Sequence, residues 1–104
     1  MNRTPFTAIL ERQLLMKTAD GSAQVVIRIG APTTDGDGWQ CPVAIDGLFG
    51  RMVDAPGFDS MSAMEGAFEL VHTVMRRSGN QFFFPPANQE DPEPYQPSIL
   101  AEST

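Results

Sequence analysis

The sequence predicts an α+β fold: an antiparallel sheet of about four strands, arranged as two hairpins, with one helix packed on one face. Three observations carry this expectation. Asp20-Gly21 separates two runs of alternating apolar and polar residues, and that dipeptide supplies the positive φ angles of a tight hairpin turn. "WQCPVAID" (39–46) alternates with a period of two, as a half-buried strand does. "PGFDSMSAMEGAFELVHTVMRRSG" (56–79) carries apolar residues at helical spacing between two readable ends.

The elements follow in chain order. With Asp20 and Gly21 as the turn, Ala19 faces Ser22, Met16 faces Val25, Leu14 faces Ile27 and Arg12 faces Ile29 on one side. Leu15 with Val26, Gln13 with Arg28 and Lys17 with Gln24 pair on the other. Most apolar residues fall on the first face, and a slip of one residue would destroy that sorting. "GAPTTDGDG" then makes a turn-rich connection. In the third strand Trp39, Cys41, Val43 and Ile45 form the apolar face, with Trp39 the largest anchor of the core. Pro42 has no N–H, so an edge or a bulge is expected there. "GLFG" turns the chain into "RMVDA", a short fourth strand.

In the helix, Asp59 or Ser60 can cap the first turn, with Ser62 and Glu65 a competing capping box. Met61, Met64, Phe68, Val71 and Met75 form a stripe widened by Ala67 and Val74, opposite Glu65, Glu69, His72 and Arg76. Arg76 and Arg77 suit the negative end, and Gly79 is a left-handed stop. Gly66 in mid-helix marks a close approach of the sheet. "QFFFPP" is a short fifth extended segment. Residues 1–84 thus read as one α+β domain. Residues 85–104, rich in proline and free of positive charge, read as a disordered or loosely docked tail.

Composition narrows function more than it defines it. The net charge is −6. All seven basic residues precede position 80, whereas Glu90, Asp91, Glu93 and Glu102 follow it. The body therefore carries −2 and the tail −4, an arrangement with no electrostatic footprint for nucleic acid or anionic lipid. No apolar run is long enough to span a bilayer. Glu11, Arg12 and Gln13 interrupt the only N-terminal apolar stretch, so no signal peptide is expected. A lone cysteine allows no internal disulfide and suits a reducing cytoplasm.

Each chemistry-bearing pattern has a plainer reading. Around Asp35-Gly36-Asp37-Gly38 no register places calcium ligands at 1, 3 and 5, glycine at 6 and a carboxylate at 12, so the stretch is a turn. Cys41 alternates with apolar residues and reads as a packed core thiol rather than a nucleophile. One Cys and one His do not make a zinc site. Glu65 and Glu69 share a solvated helix face, and "APGFDS" lacks the spacing and lysine of a phosphate loop. No catalytic residue, cofactor or metal is expected.

Several motifs in order resemble a family of short bacterial proteins classed as a domain of unknown function. They are Glu11, Arg12 and Leu14 ("ER-x-L"); Val25, Ile27, Arg28, Ile29, Gly30 and Pro32 ("V-x-V-R-I-G-x-P"); Trp39, Cys41, Pro42, Ile45 and Gly47 ("W-x-C-P-x-x-I-x-G"); and Gly57, Asp59 and Ser60 ("G-x-D-S" opening the helix). The resemblance covers about positions 9 to 78. "MEGAFELV" departs from the family's usual helix face, and the Pro-rich tail from its usual ending. The resemblance implies a bacterial cytosolic protein and brings no activity with it.

Three successive phenylalanines cannot all face inward from one extended segment. Phe82, Phe83, Phe84 and Pro85 are therefore the expected interface, unless Ile99 and Leu100 fold back over them. The functional expectation is a non-enzymatic protein that acts through a protein partner or as a homodimer. The alternative is a small-ligand binder with a pocket between helix and sheet near Met61, Met64 and Trp39.

Overall fold

A computed structural model describes residues 6–85 and 93–95. In chain order these form β1 (Ala8–Thr18), β2 (Gly21–Gly30), β3 (Thr33–Asp35), β4 (Gly38–Asp46), β5 (Val53–Gly57), the helix α1 (Ser60–Ser78), β6 (Phe82–Phe83) and β7 (Pro94–Tyr95). The fold is α+β, one helix on an antiparallel sheet, but the described sheet has seven strands rather than four. β6 falls in the expected fifth extended segment, and the unforeseen strands are β3 and β7, three and two residues long. Segments so short leave no periodicity to read.

β4 organises the sheet. Trp39 pairs with both Thr34 and Gly57, and Val43 with both Ile29 and Val53. β2 and β3 therefore share one edge of β4, and β5 takes the other. On the far side of β2 lie β1, then β6, then β7. Between the pairs Ile29–Val43 and Thr33–Gln40, three residues of one chain (30–32) oppose two of the other (41–42). This is a bulge, and it falls opposite Pro42, where a missing N–H was expected to break the ladder. The Cys41 thiol donates to the Gly30 carbonyl inside this break at 3.3 Å.

The β1–β2 hairpin turns on Ala19-Asp20, with Thr18 opposite Gly21, so its register differs from the predicted one by two residues. A shift of two keeps every side chain on its face, and Leu14, Val25, Ile27 and Ile29 are all buried. The observed register sets Arg28 opposite Glu11 rather than Gln13. Arg28 bonds Glu11 at 3.4 Å and also contacts the Asp46 carboxylate of β4. Opposite charges across neighbouring strands are worth roughly 0.2–1 kcal/mol, enough to favour this register over an otherwise equivalent one.

β5 begins two residues later than predicted and runs to Gly57. The helix ends match the sequence closely. The Asp59 carboxylate accepts from the Ser62 N–H at 2.7 Å, and the Ser62 hydroxyl accepts from the Asp59 N–H at 3.2 Å, closing a capping box. Gly79 stops the helix at φ 73° and donates to the Arg76 carbonyl.

The buried side of α1 is Ala63, Ala67, Val71 and Met75. It is rotated away from the predicted stripe, leaving Met61 and Phe68 exposed. The small residues decide this. A Cβ at Gly66 would stand 3.3 Å from the Pro56 carbonyl oxygen, and one at Gly57 would strike the backbone of Ala63. The helix thus settles with its alanine and glycine ridge against β5, packing mainly on β4 and β5. Trp39, expected as the chief anchor, lies half-buried at the margin of the core.

Candidate binding cleft

Because α1 covers β4 and β5, the start of β1 is not roofed by it. Along this margin lies a cleft of about 250 Å³. Ile27, Ile29 and Val71 form its buried floor, and Leu10 and Phe68 stand on either side. Arg12, His72 and Tyr95 supply its polar groups. Glu11 also borders it, but its carboxylate is engaged by Arg28, which points to the opposite face of the sheet from Arg12.

Arg12 is held by aromatic rings. Its guanidinium carbon lies 5.6 Å from the Phe84 ring centre and 5.2 Å from that of Tyr95. The two rings meet edge to face at 5.5 Å. Pairing of β6 with β7 brings them together: Phe82 faces Tyr95, and the Phe84 N–H donates to the Glu93 carbonyl at 2.8 Å. His72, expected on the helix face away from the sheet, is half-buried at the cleft. Burial lowers its pKa from the ordinary value, and the nearby charges of Arg76 and Arg12 lower it further. Neutral imidazole is the favoured form.

The three phenylalanines of the expected interface go to different places. Phe82 is 3% exposed and belongs to the core. Phe83 pairs with Leu15 on the face away from the helix and is half-buried. Phe84, also half-buried, joins the Arg12–Tyr95 cluster, and Pro85 is exposed. Ile99 and Leu100, the expected cover, lie outside the described residues, as does most of the segment read as a tail. Of its described residues, Pro94 and Tyr95 pair with β6 as β7.

The cleft is not lined by Met61, Met64 or Trp39, near which a pocket was expected. Met61 is 70% exposed, and Met64 and Trp39 pack against the core. Cys41 is fully buried; burial pushes its thiol pKa up, and the Asp54 carboxylate adds to this. Gly36 and Asp37 form the two-residue turn between β3 and β4, with Gly36 at φ 76°. Glu65 and Glu69 are solvent-exposed.

The residues that sequence reasoning missed are Leu10, Arg12 and Tyr95. One signal for Arg12 was present: it shares the inward parity of Leu14 and Met16, a cation on an otherwise apolar strand face. Tyr95 offered none, since its strand is two residues long.

A second exposed feature adjoins the cleft. Phe58, just before the helix, is 98% exposed, and Met61 and Phe68 are 70% and 40% exposed. Met61 and Phe68 are seven residues apart and so lie on one side of α1. Leu10, across the cleft from Phe68, is 43% exposed.

A family model described as a domain of unknown function (DUF6968) matches residues 10–81. The match covers most of the chain and spans β1 through α1, the elements that carried the resemblance. The chain belongs to this family. Neither the curated proteins nor the solved structures yield a match. Among the described residues, no helix is long and apolar enough to cross a membrane.

Proposed function

We propose that this is a non-enzymatic bacterial protein of the cytoplasm that acts through a protein–protein contact, with a second copy or another protein. One observation carries the reading: Met61 and Phe68 present large apolar side chains to solvent on one side of α1, and Phe58 is exposed just before its first turn. Single exposed apolar residues need no explanation, but a row of them bordered by charge has the make-up of an interface centre. Glu65 and Glu69, exposed on the adjoining helix surface, supply the polar border. The contact surface is this row rather than Phe82–Pro85, because Phe82 is committed to the core and Phe84 to the Arg12 cluster. The fully buried cysteine is at ease in a reducing compartment, and the near-neutral body offers nothing to nucleic acid.

The test uses the full chain and two surface variants, Phe58→Ser and Met61→Glu. Light scattering over a range of concentrations reads self-association, and capture from lysate of the source cell reads other partners. The expected result is a mass increase or a specific partner that both substitutions abolish. If wild type and variants give the same mass and the same captured proteins, the reading fails.

A further inference from the structure

We infer that the cleft between α1 and the first half of β1 binds a small carboxylate with an apolar body, its charged end held by Arg12. The inference stands on Arg12 and the cleft floor and shares only Phe68 with the protein-contact reading.

Size, lining and charge each restrict the ligand. The cleft holds about 250 Å³, at the small end of ligand pockets. That suits a compact ligand such as a single ring or a short alkyl chain. The floor of Ile27, Ile29 and Val71 is buried and offers no hydrogen bonds, so the inserted part must be apolar. At the mouth stands one cation. Glu11, the carboxylate that borders the cleft, is taken by Arg28. Among the described residues, the contacts of the Arg12 guanidinium are with the rings of Phe84 and Tyr95.

Those contacts orient Arg12 without using its N–H groups. Contacts with ring π-systems use none of the guanidinium's N–H donors, and those donors form a planar fork matched to a carboxylate. The side chain is thereby placed in advance of binding, which reduces the ordering cost that a free arginine would incur. His72, favoured as neutral imidazole, adds a hydrogen-bonding group without a second charge. A single fixed cation over an apolar floor suits a monoanion better than a phosphate dianion.

Full-length ¹⁵N-labelled protein titrated with hexanoate and with benzoate tests this directly. Hexanol, hexylamine and inorganic phosphate are the controls. Hexanoate or benzoate is expected to shift Leu10, Ile27, Ile29, Val71 and His72 saturably, with binding at least tenfold weaker to hexanol and absent for hexylamine and phosphate. Arg12→Gln should weaken carboxylate binding at least tenfold, and Arg12→Lys should weaken it less. Leu10→Glu, with its fold checked by the amide spectrum, should abolish binding by placing a competing carboxylate beside Arg12. The inference is overturned if hexanol binds as tightly as hexanoate, if Arg12→Gln binds as well as wild type, if phosphate alone shifts the same residues, or if neither carboxylate produces saturable shifts at millimolar concentration.

Discussion

At the scale of single residues, Gly57 and His72 show how local contacts fix larger features. Gly57 lies where the last residue of β5 meets the first turn of α1, and an added methyl would overlap the Ala63 backbone. Backbone cannot rotate aside as a long side chain can. Gly57→Ala should therefore destabilise the fold by about 1–3 kcal/mol, the usual range for overpacking, read as a lower urea midpoint at unchanged slope. His72 gives a pH signature. Its folded pKa lies below the 6.5 of an unperturbed imidazole, so between those values the unfolded chain binds more protons than the folded one. The stability it contributes is fully present above 6.5 and is lost as pH falls through the folded value. Removing the Arg12 charge should raise the His72 pKa part of the way back, because burial and Arg76 still oppose protonation. Imidazole proton shifts of wild type and Arg12→Gln measure this. A pKa unmoved by the substitution would place Arg12 outside electrostatic reach of the ring.

At the scale of elements, the capping box is the clearest test of sequence logic. Asp59 and Ser62 satisfy each other's backbone N–H groups, and Asp59→Ala should cost about 1 kcal/mol, measured by the same urea titration. Asp59 as the cap was legible in the sequence, as were the faces of β1, β2 and β4. Capping residues and period-two alternation act locally, so one segment contains the whole signal. The hairpin register was not legible, because a shift of two residues preserves both faces and leaves only pairings such as Glu11 with Arg28 to choose between alternatives. The rotation of α1 was hidden for a related reason. Gly66 signalled a close approach of the sheet, but apolar spacing weights Met61 and Phe68 heavily and did not show that Gly66, Ala63 and Ala67 together form the ridge against β5. The cleft inherits that difficulty. It exists because the helix shifts toward β5 and because β7 returns Tyr95 to the sheet, and both are relations between distant segments.

At the scale of the whole molecule, the fold does not end where the helix does. The family match stops at residue 81, but Phe82, immediately after it, is 3% exposed and packs in the same core as Leu14 and Met75. β6 also pairs with Leu15 and Met16, and the Lys17 N–H donates to the Gln81 carbonyl at 2.9 Å. A chain ending at residue 79 would lose all of this and expose the end of the core. Loss of a buried phenylalanine side chain costs about 3–5 kcal/mol, a large part of the stability of a domain this size. A chain ending at residue 85 keeps Phe82 and loses Tyr95, whose edge-to-face contact with Phe84 is worth about 0.5–1.5 kcal/mol. Urea titrations of the full chain, 1–85 and 1–79 should therefore show a small step between the first two and a large one before the third. Phe82→Ala in the full chain should reproduce most of the large step, and Phe84→Ala only the small one. Equal steps for the two substitutions would mean that the segment after the helix is held by its aromatic cluster rather than by the core. In that event β6 would be an attachment to the fold and not one of its structural strands.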